Sequence, residues 1–303
     1  MVRQVVSNLI SDPNGIYVDG TAGSGGHSEA VARALAEEGR LLCLDRDPEG
    51  ILMVQKRLAF MGDRVRVRKA NYAGLGRVMD QEGYRGVHGI LLDLGMSSFQ
   101  VDHSGRGFSF SRDEPLDMRM DPDSEETASR LINTLHRRAL EGILREYGEE
   151  RKARLIAKKI EMARKDGAID TTLQLTKLIQ SVIPLTRRRG GIHPATRTFQ
   201  ALRIAVNKEL DHLKAFLDVV PSLLWRGGRL VVLSYHSLED RIVKQTMQDW
   251  ERGCTCPPDL PVCGCDKMPL FRRQLKRGRK PDREEITDNP RARSAIMRMA
   301  ERV

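Results

Sequence analysis

The chain has no apolar run long enough to span a bilayer and few aromatic residues, 5% in all. The first absence excludes a membrane-spanning helix, and the second argues against a broad stacking platform for single-stranded nucleic acid. Five cysteines in 303 residues are too few for a disulfide framework. The start, Met1-Val2-Arg3-Gln4-Val5-Val6, lacks the long apolar stretch and cleavage site of a secretory signal. Together these point to the reducing cytoplasm. The glycine-rich turn after the first strand fits neither G-x-G-x-x-G nor Gly-Lys-Ser/Thr, so neither a dinucleotide fingerprint nor a triphosphate loop is expected. No internal repeat is evident.

Hydrophobic residues make up 40% of the chain and charged residues 30%, the balance of a globular protein. Lys and Arg number 51 against 41 Asp and Glu, a net charge of +10 that favours a polyanionic partner. Arg187, Arg188, Arg189, Arg197 and Arg203 share a stretch without an acid, and Arg272, Arg273, Lys276, Arg277, Arg279 and Lys280 form a second. Such clusters suit contacts to a phosphate backbone. A solvated basic face is the alternative.

The first hundred residues alternate as a parallel α/β sheet does. Strands are expected at Ile16 to Asp19, Leu41 to Asp45, Val65 to Lys69 and Val87 to Asp93, with helices at Ser28 to Glu37 and Pro48 to Phe60 between them. Ligands of such sheets lie beyond the carboxyl ends of the strands, where Asp19, Asp45, Tyr72 and Asp93 converge. From Glu125 to Ile183 helical periods take over, and a long helical pattern follows from Ala195 towards Leu224. The strand Arg229 to Ser234 and a helix from His236 to Trp250 then resume the core. The resulting division is a first core part at 1–105, a helical insertion that recognises substrate at 106–195, and a second core part at 196–303.

Asp19-Gly20-Thr21-Ala22-Gly23-Ser24-Gly25-Gly26-His27-Ser28 joins the first strand to its helix, and Asp45 closes the second strand. Glycines admit positive φ and a close ligand, while the acid can accept both ribose hydroxyls. With no pyrophosphate motif and an acid ahead of the turn that can meet an ammonium, the expected cofactor is S-adenosylmethionine. Asp93, ending the fourth strand before Leu94-Gly95, can anchor that cofactor or accept the N–H bonds of an amine being methylated. His236, in Ser234-Tyr235-His236-Ser237-Leu238-Glu239-Asp240-Arg241, can contact a target base or merely hold its turn. Pro115-Leu116-Asp117-Met118-Arg119-Met120 can supply polar contacts for an inserted base or be a packed loop. Cys254, Cys256, Cys263 and Cys265 form two C-x-C pairs, suited to a closed structural zinc site or to surface thiols that stay reduced or oxidise reversibly.

These segments, with Leu91-Leu92-Asp93-Leu94-Gly95-Met96-Ser97-Ser98, Arg106-Gly107-Phe108-Ser109-Phe110, His193-Pro194-Ala195-Thr196-Arg197-Thr198-Phe199-Gln200 and Asn289-Pro290-Arg291-Ala292-Arg293-Ser294, resemble the RsmH/MraW family over nearly the whole chain. The resemblance implies a Rossmann-like class I S-adenosylmethionine-dependent methyltransferase sheet with an inserted helical domain. It implies N4-methylation of a cytidine in the decoding site of 16S ribosomal RNA, within the small ribosomal subunit. It places Gly25, Gly26 and His27 along the cofactor, Asp45 on its ribose and Tyr72 beside its adenine. Asp93 and Gln100 complete the cofactor site; the residues themselves, apart from the resemblance, offer Asp93, Asp117 and His236 as catalytic candidates. Tyr72 and Tyr235 stand where the family commonly has phenylalanine, and the family does not settle the zinc. Its members usually open with a His-x-Pro-Val-Leu segment, whereas this chain begins inside the helix that follows. The oligomeric state is open, a homodimer included.

Overall fold

A computed structural model describes residues 1–185, 193–254, 256, 261–262, 264–265 and 267–303. They group into two units, Met1–Gly95 with Leu210–Val303, and Met96–Glu209.

In the first unit, α1 (Val2–Leu9), β1 (Ile16–Asp19), α2 (Gly26–Ala34), β2 (Arg40–Asp45), α3 (Pro48–Arg57), β3 (Val65–Lys69), α4 (Leu75–Gln81) and β4 (Val87–Asp93) alternate in the parallel manner. The second unit holds α5 (Ser98–Asp102), α6 (Ala128–Thr134), α7 (Arg137–Glu146), α8 (Ala153–Ala163), α9 (Thr172–Val182) and α10 (Thr196–Asn207). The chain returns to the sheet through α11 (Glu209–Leu223), β5 (Leu224–Ser234), α12 (Ser237–Arg252), β6 (Phe271–Arg273), α13 (Arg283–Asp288) and β7 (Ile296–Arg302).

The strands form one seven-stranded sheet in the order β3-β2-β1-β4-β5-β7-β6, with β7 antiparallel to both its neighbours. Apolar residues on both faces explain why β2, β4 and the second half of β5 read as continuous hydrophobic runs. Leu42, Leu44, Ile90, Leu92, Leu230 and Val232 pack on one side with Leu75, Met79, Phe216, Val243 and Met247. Their neighbours Leu41, Cys43, Leu91, Val231 and Leu233 pack on the other with Val5, Leu9, Val31 and Val54. This is a doubly wound, Rossmann-like α/β fold with a helical segment inserted after β4. No helix among the described residues is long and apolar enough to cross a membrane.

Two features differ from the sequence expectation. The helical pattern after Ala195 is two helices, because Lys208 takes a left-handed conformation (φ 48°) that ends α10. The helical unit is also wider than 106–195, running from Met96 to Glu209. Phe199, Ala201, Leu202 and Val206 of α10 are buried in its core, which also includes Leu144, Ile156, Ile160, Leu175 and Ile179.

Candidate functional site

The strand order reverses between β1 and β4, the place where open α/β sheets hold ligands. The turn after β1 is tied down on both sides: Gly20 N–H donates to Leu91 O and Ala22 N–H to Leu44 O, each at 2.9 Å. Gly25 caps α2 with φ 83°, a conformation that costs a side chain free energy. Asp45 lies under the turn, its Oδ2 accepting Gly23 N–H at 2.6 Å and its Oδ1 Asp47 N–H at 2.8 Å. Burial pushes its carboxyl up, opposed by those two backbone donors. Gly50 leaves room for this arrangement and escaped the sequence reading. A Cβ there would stand 3.0 Å from Gly23 O and 3.3 Å from the Asp45 carboxylate carbon, so a side chain would push the turn or the Asp45 carboxylate aside by a few tenths of an ångström.

Asp93 is held from several directions. Its backbone N–H donates to Thr21 Oγ1 at 2.6 Å, and its Oδ1 accepts the Tyr235 hydroxyl at 2.8 Å. Its Oδ2 lies 3.1 Å from His27 Nδ1, and the side chain remains 25% exposed, within reach of a ligand. Burial works against a charge on His27, but the Asp93 hydrogen bond and the charges of Asp93 and Asp19 outweigh it and raise the imidazole above its ordinary range. His27 Nε2 is buried with no hydrogen-bond partner among the described residues. Such an atom costs free energy until a ligand or water meets it.

Asp19, read as able to meet an ammonium, is turned inward instead. It is 1% exposed and accepts Ser28 Oγ–H at 2.6 Å and Thr21 N–H at 3.1 Å, bracing the turn from below. Burial lifts its carboxyl from 3.8 to about 6 in spite of those donors. Tyr72 is buried edge-on against Phe216, ring centroids 5.6 Å apart. A cleft of about 470 Å³ near it in sequence is lined by Ala70, Asn71, Gly74, Arg77 and His212 but by none of Tyr72, Asp45 and Asp93, so it is not the site the sequence indicates.

His236 is the N-cap of α12. Its Nδ1 accepts Glu239 N–H at 3.4 Å, while Nε2 sits 3.2 Å from Glu239 Oε1 without hydrogen-bond alignment. Glu239 also accepts Tyr235 N–H at 3.0 Å, so the histidine and its acid shape the turn that presents Tyr235. Thr21, Ser28 and Glu239 are therefore working parts of this end of the sheet. Only their place inside the two polar motifs marked them beforehand.

The remaining candidates belong to the second unit. Gln100 is buried, and its Oε1 accepts Ser97 N–H in a capping box that starts α5. Asp117 accepts Arg119 Nε–H at 2.8 Å, Nη2–H at 2.7 Å and N–H at 2.9 Å. Burial opposes its charge, but the Arg119 hydrogen bonds and charge hold the carboxyl below its ordinary range, which suits a brace better than a proton acceptor. The loop around it is irregular yet fixed. Asn207, unmarked in the sequence, donates to Met118 O at 2.7 Å and accepts Met120 N–H at 2.8 Å, and Met118 has φ 61°.

Of the basic clusters, Arg187, Arg188 and Arg189 lie outside the described residues, as does Cys263. The second cluster is acid-free only in sequence. Arg273 pairs with Glu251, and Arg272, itself exposed, with Glu301 at 3.0 Å; Lys276, Arg277, Arg279 and Lys280 are further exposed cations of the cluster.

A protein of Geobacter sulfurreducens (strain ATCC 51573 / DSM 12127 / PCA) named Ribosomal RNA small subunit methyltransferase H is 48% identical over 303 residues, covering 100% of this chain and 97% of that protein. A protein of the same name from Geobacter sp. (strain M21) is 46% identical over 300 residues, 99% of this chain and 96% of that one. Among solved structures, one described as a putative rRNA-methylase from Clostridium thermocellum covers 99% of this chain and 94% of its own at 13% identity and a TM-score of 0.46, too distant to bear on function. A profile of the MraW methylase family matches residues 1–303. With that match along its whole length and relatives at nearly half identity, the chain belongs to the MraW methylase family.

Proposed function

We propose that this protein transfers a methyl group from S-adenosylmethionine to the exocyclic N4 amine of a cytidine in small-subunit ribosomal RNA, at the decoding site of 16S RNA. One observation carries the cofactor: two partly accessible carboxylates, Asp45 and Asp93, end strands on either side of β1, with the Gly23–His27 turn between them. The residues present fit that cofactor. Asp45 keeps lone pairs for two ribose hydroxyls beyond the amides it already accepts, the left-handed Gly25 opens the turn, and His27 Nε2 awaits a partner. When bound, the cofactor supplies an electrophilic methyl group on sulfur.

In this reading Asp93 anchors the methionine ammonium, its carboxylate oriented by Tyr235 and His27. An exocyclic amine conjugated to a ring is a poor nucleophile, so acceptors for its N–H bonds are needed to localise the lone pair. In the alternative reading of its role, Asp93 serves as such an acceptor. His236 positions the Tyr235 turn, and Asp117 braces its loop in the helical unit. The arginines at 187–189 and the exposed cations from Lys276 to Lys280 hold RNA phosphates while the base leaves its stack. The names of the curated relatives support the RNA substrate. Against a DNA-amine methyltransferase stands the turn after β4, Asp93-Leu94-Gly95-Met96, which lacks the Pro-Pro-aromatic sequence expected of one.

The reading is tested by incubating the protein with methyl-labelled S-adenosylmethionine and, separately, isolated small subunits, protein-free 16S RNA and duplex DNA, then digesting to nucleosides. Label in N4-methylated cytidine from the ribosomal substrate supports it. Label on DNA, on a base carbon or on ribose overturns the substrate or the reaction assignment.

A further inference from the structure

Between α12 and β6 the chain runs from Gly253 to Leu270 with no helix or strand among its described residues, long for a connection in a compact domain. The base of this loop is closed. Leu270 N–H donates to Trp250 O at 2.9 Å, and a Cβ on Gly253, at φ +66°, would stand 2.6 Å from Met268 C and Pro269 N. Above that base no apolar core holds its described residues. None of its described residues is buried, Val262 is 75% exposed and Met268 77%. Ordering the described residues of this loop without burial requires some other source of stability.

The least exposed described positions of the loop are Gly253 and three cysteines, Cys254, Cys256 and Cys265. Their Sγ atoms all lie within 4.8 Å of one another, and those of Cys254 and Cys265 are 3.6 Å apart. Two thiolates on one tetrahedral zinc, with Zn–S bonds near 2.3 Å, stand about 3.8 Å apart. Cys254 Sγ also accepts Cys256 N–H at 3.4 Å, the outer-shell hydrogen bond that favours a thiolate.

We propose that this cluster is a structural metal site that binds one zinc ion through the thiolates of Cys254, Cys256 and Cys265. Binding replaces each S–H by a Zn–S bond and releases one proton per thiol, with no change of oxidation state. A thiolate-rich zinc site characteristically staples a loop in place. What it staples is the approach to β6, whose strand opens the segment bearing the exposed cations Lys276, Arg277, Arg279 and Lys280. The proposal does not depend on the methylation reading.

Elemental analysis of the full chain, purified without added metal or chelator, is expected to find about one zinc per chain, falling to about a tenth in Cys254→Ser/Cys265→Ser. Native thiol titration is expected to show at least three cysteines that react only after a chelator is added. If the double variant fails to fold, cobalt(II) exchanged into the parent keeps the test alive, with thiolate-to-cobalt charge transfer and strong tetrahedral d–d bands expected. A metal-free parent whose loop thiols react without chelator, a disulfide among these cysteines by mass spectrometry, or cobalt spectra without thiolate bands would overturn the site.

Discussion

Asp45→Ala is the sharpest perturbation of the cofactor site. The side chain accepts Gly23 N–H at 2.6 Å and Asp47 N–H at 2.8 Å, one on each oxygen, and keeps a further lone pair on each for a ribose hydroxyl. Hydrogen bonds to a charged group contribute about 1.5–3 kcal/mol each. Water entering the partly exposed space recovers some of that, which leaves a net loss of about 2–4 kcal/mol, or roughly thirtyfold to nearly a thousandfold in affinity. Of the two orphaned backbone donors Gly23 is half-buried and Asp47 buried, so the variant is expected to lose some stability as well, and its fold is checked before affinity is read. Because burial raises the Asp45 carboxyl, the parent should also lose affinity on acidification sooner than an ordinary carboxylate would dictate. Calorimetric titration with S-adenosylmethionine, after circular dichroism confirms the fold, measures both effects. Unchanged affinity in folded Asp45→Ala would refute the ribose assignment.

Tyr235→Phe removes the donor to Asp93 Oδ1, and because Asp93 is 25% exposed and water can substitute, the expected loss is about 1–2 kcal/mol, five- to thirtyfold in cofactor affinity or single-turnover rate. Kinetics indistinguishable from the parent would show that the hydroxyl does not orient Asp93. In the helical unit Arg203 and Glu209 form a buried pair at 2.9 and 3.0 Å, so Glu209→Ala strands a guanidinium and should cost about 3–5 kcal/mol in urea unfolding, whereas Arg203→Met/Glu209→Leu should recover most of it. Equal losses in the single and double variants would contradict that. Asp19, with its carboxyl raised from 3.8 to about 6, keeps a proton in the folded state that the unfolded chain has released. Its contribution to stability is therefore fully present below pH 4 and is lost as pH rises to 6, a change of about 3 kcal/mol. Asp19→Asn lacks that titration, so its stability relative to the parent should rise across this window, and a pH-independent difference would sink the assignment.

Strands β1, β2 and β4 and the glycine turn were legible because strands buried on both faces read as apolar runs and the turn carries its glycines in a local motif, while β3, Val65-Arg66-Val67-Arg68-Lys69, was legible by its alternation. Strand β7 was not, since Ile296-Met297-Arg298-Met299-Ala300-Glu301-Arg302 interleaves charges with apolar residues. Its buried Arg298 is compensated by Asp240, distant in sequence, at 2.7 and 2.9 Å. The three-residue β6 lies inside a basic stretch with no periodicity to reveal it. At the site, residue types could be read but not their partners. Asp19 and Asp93 look alike as acids ending strands, and only the fold shows that one is sealed beneath Ser28 and Thr21 while the other stays open beside His27 and Tyr235. Asp117 and His236 look alike as chemical groups in sequence, and the structure shows Asp117 held by Arg119 while His236 accepts Glu239 N–H at Nδ1 and keeps a buried Nε2 with no hydrogen-bond partner among the described residues.

The central claim is tested most directly by nucleoside analysis of small-subunit RNA from cells that contain this protein, cells that lack it, and cells that carry only Asp45→Ala. The account predicts a decoding-site cytidine bearing an N4-methyl group in the first, unmodified at that nitrogen in the second, and restored weakly or not at all in the third. Identical N4 methylation in all three would contradict it.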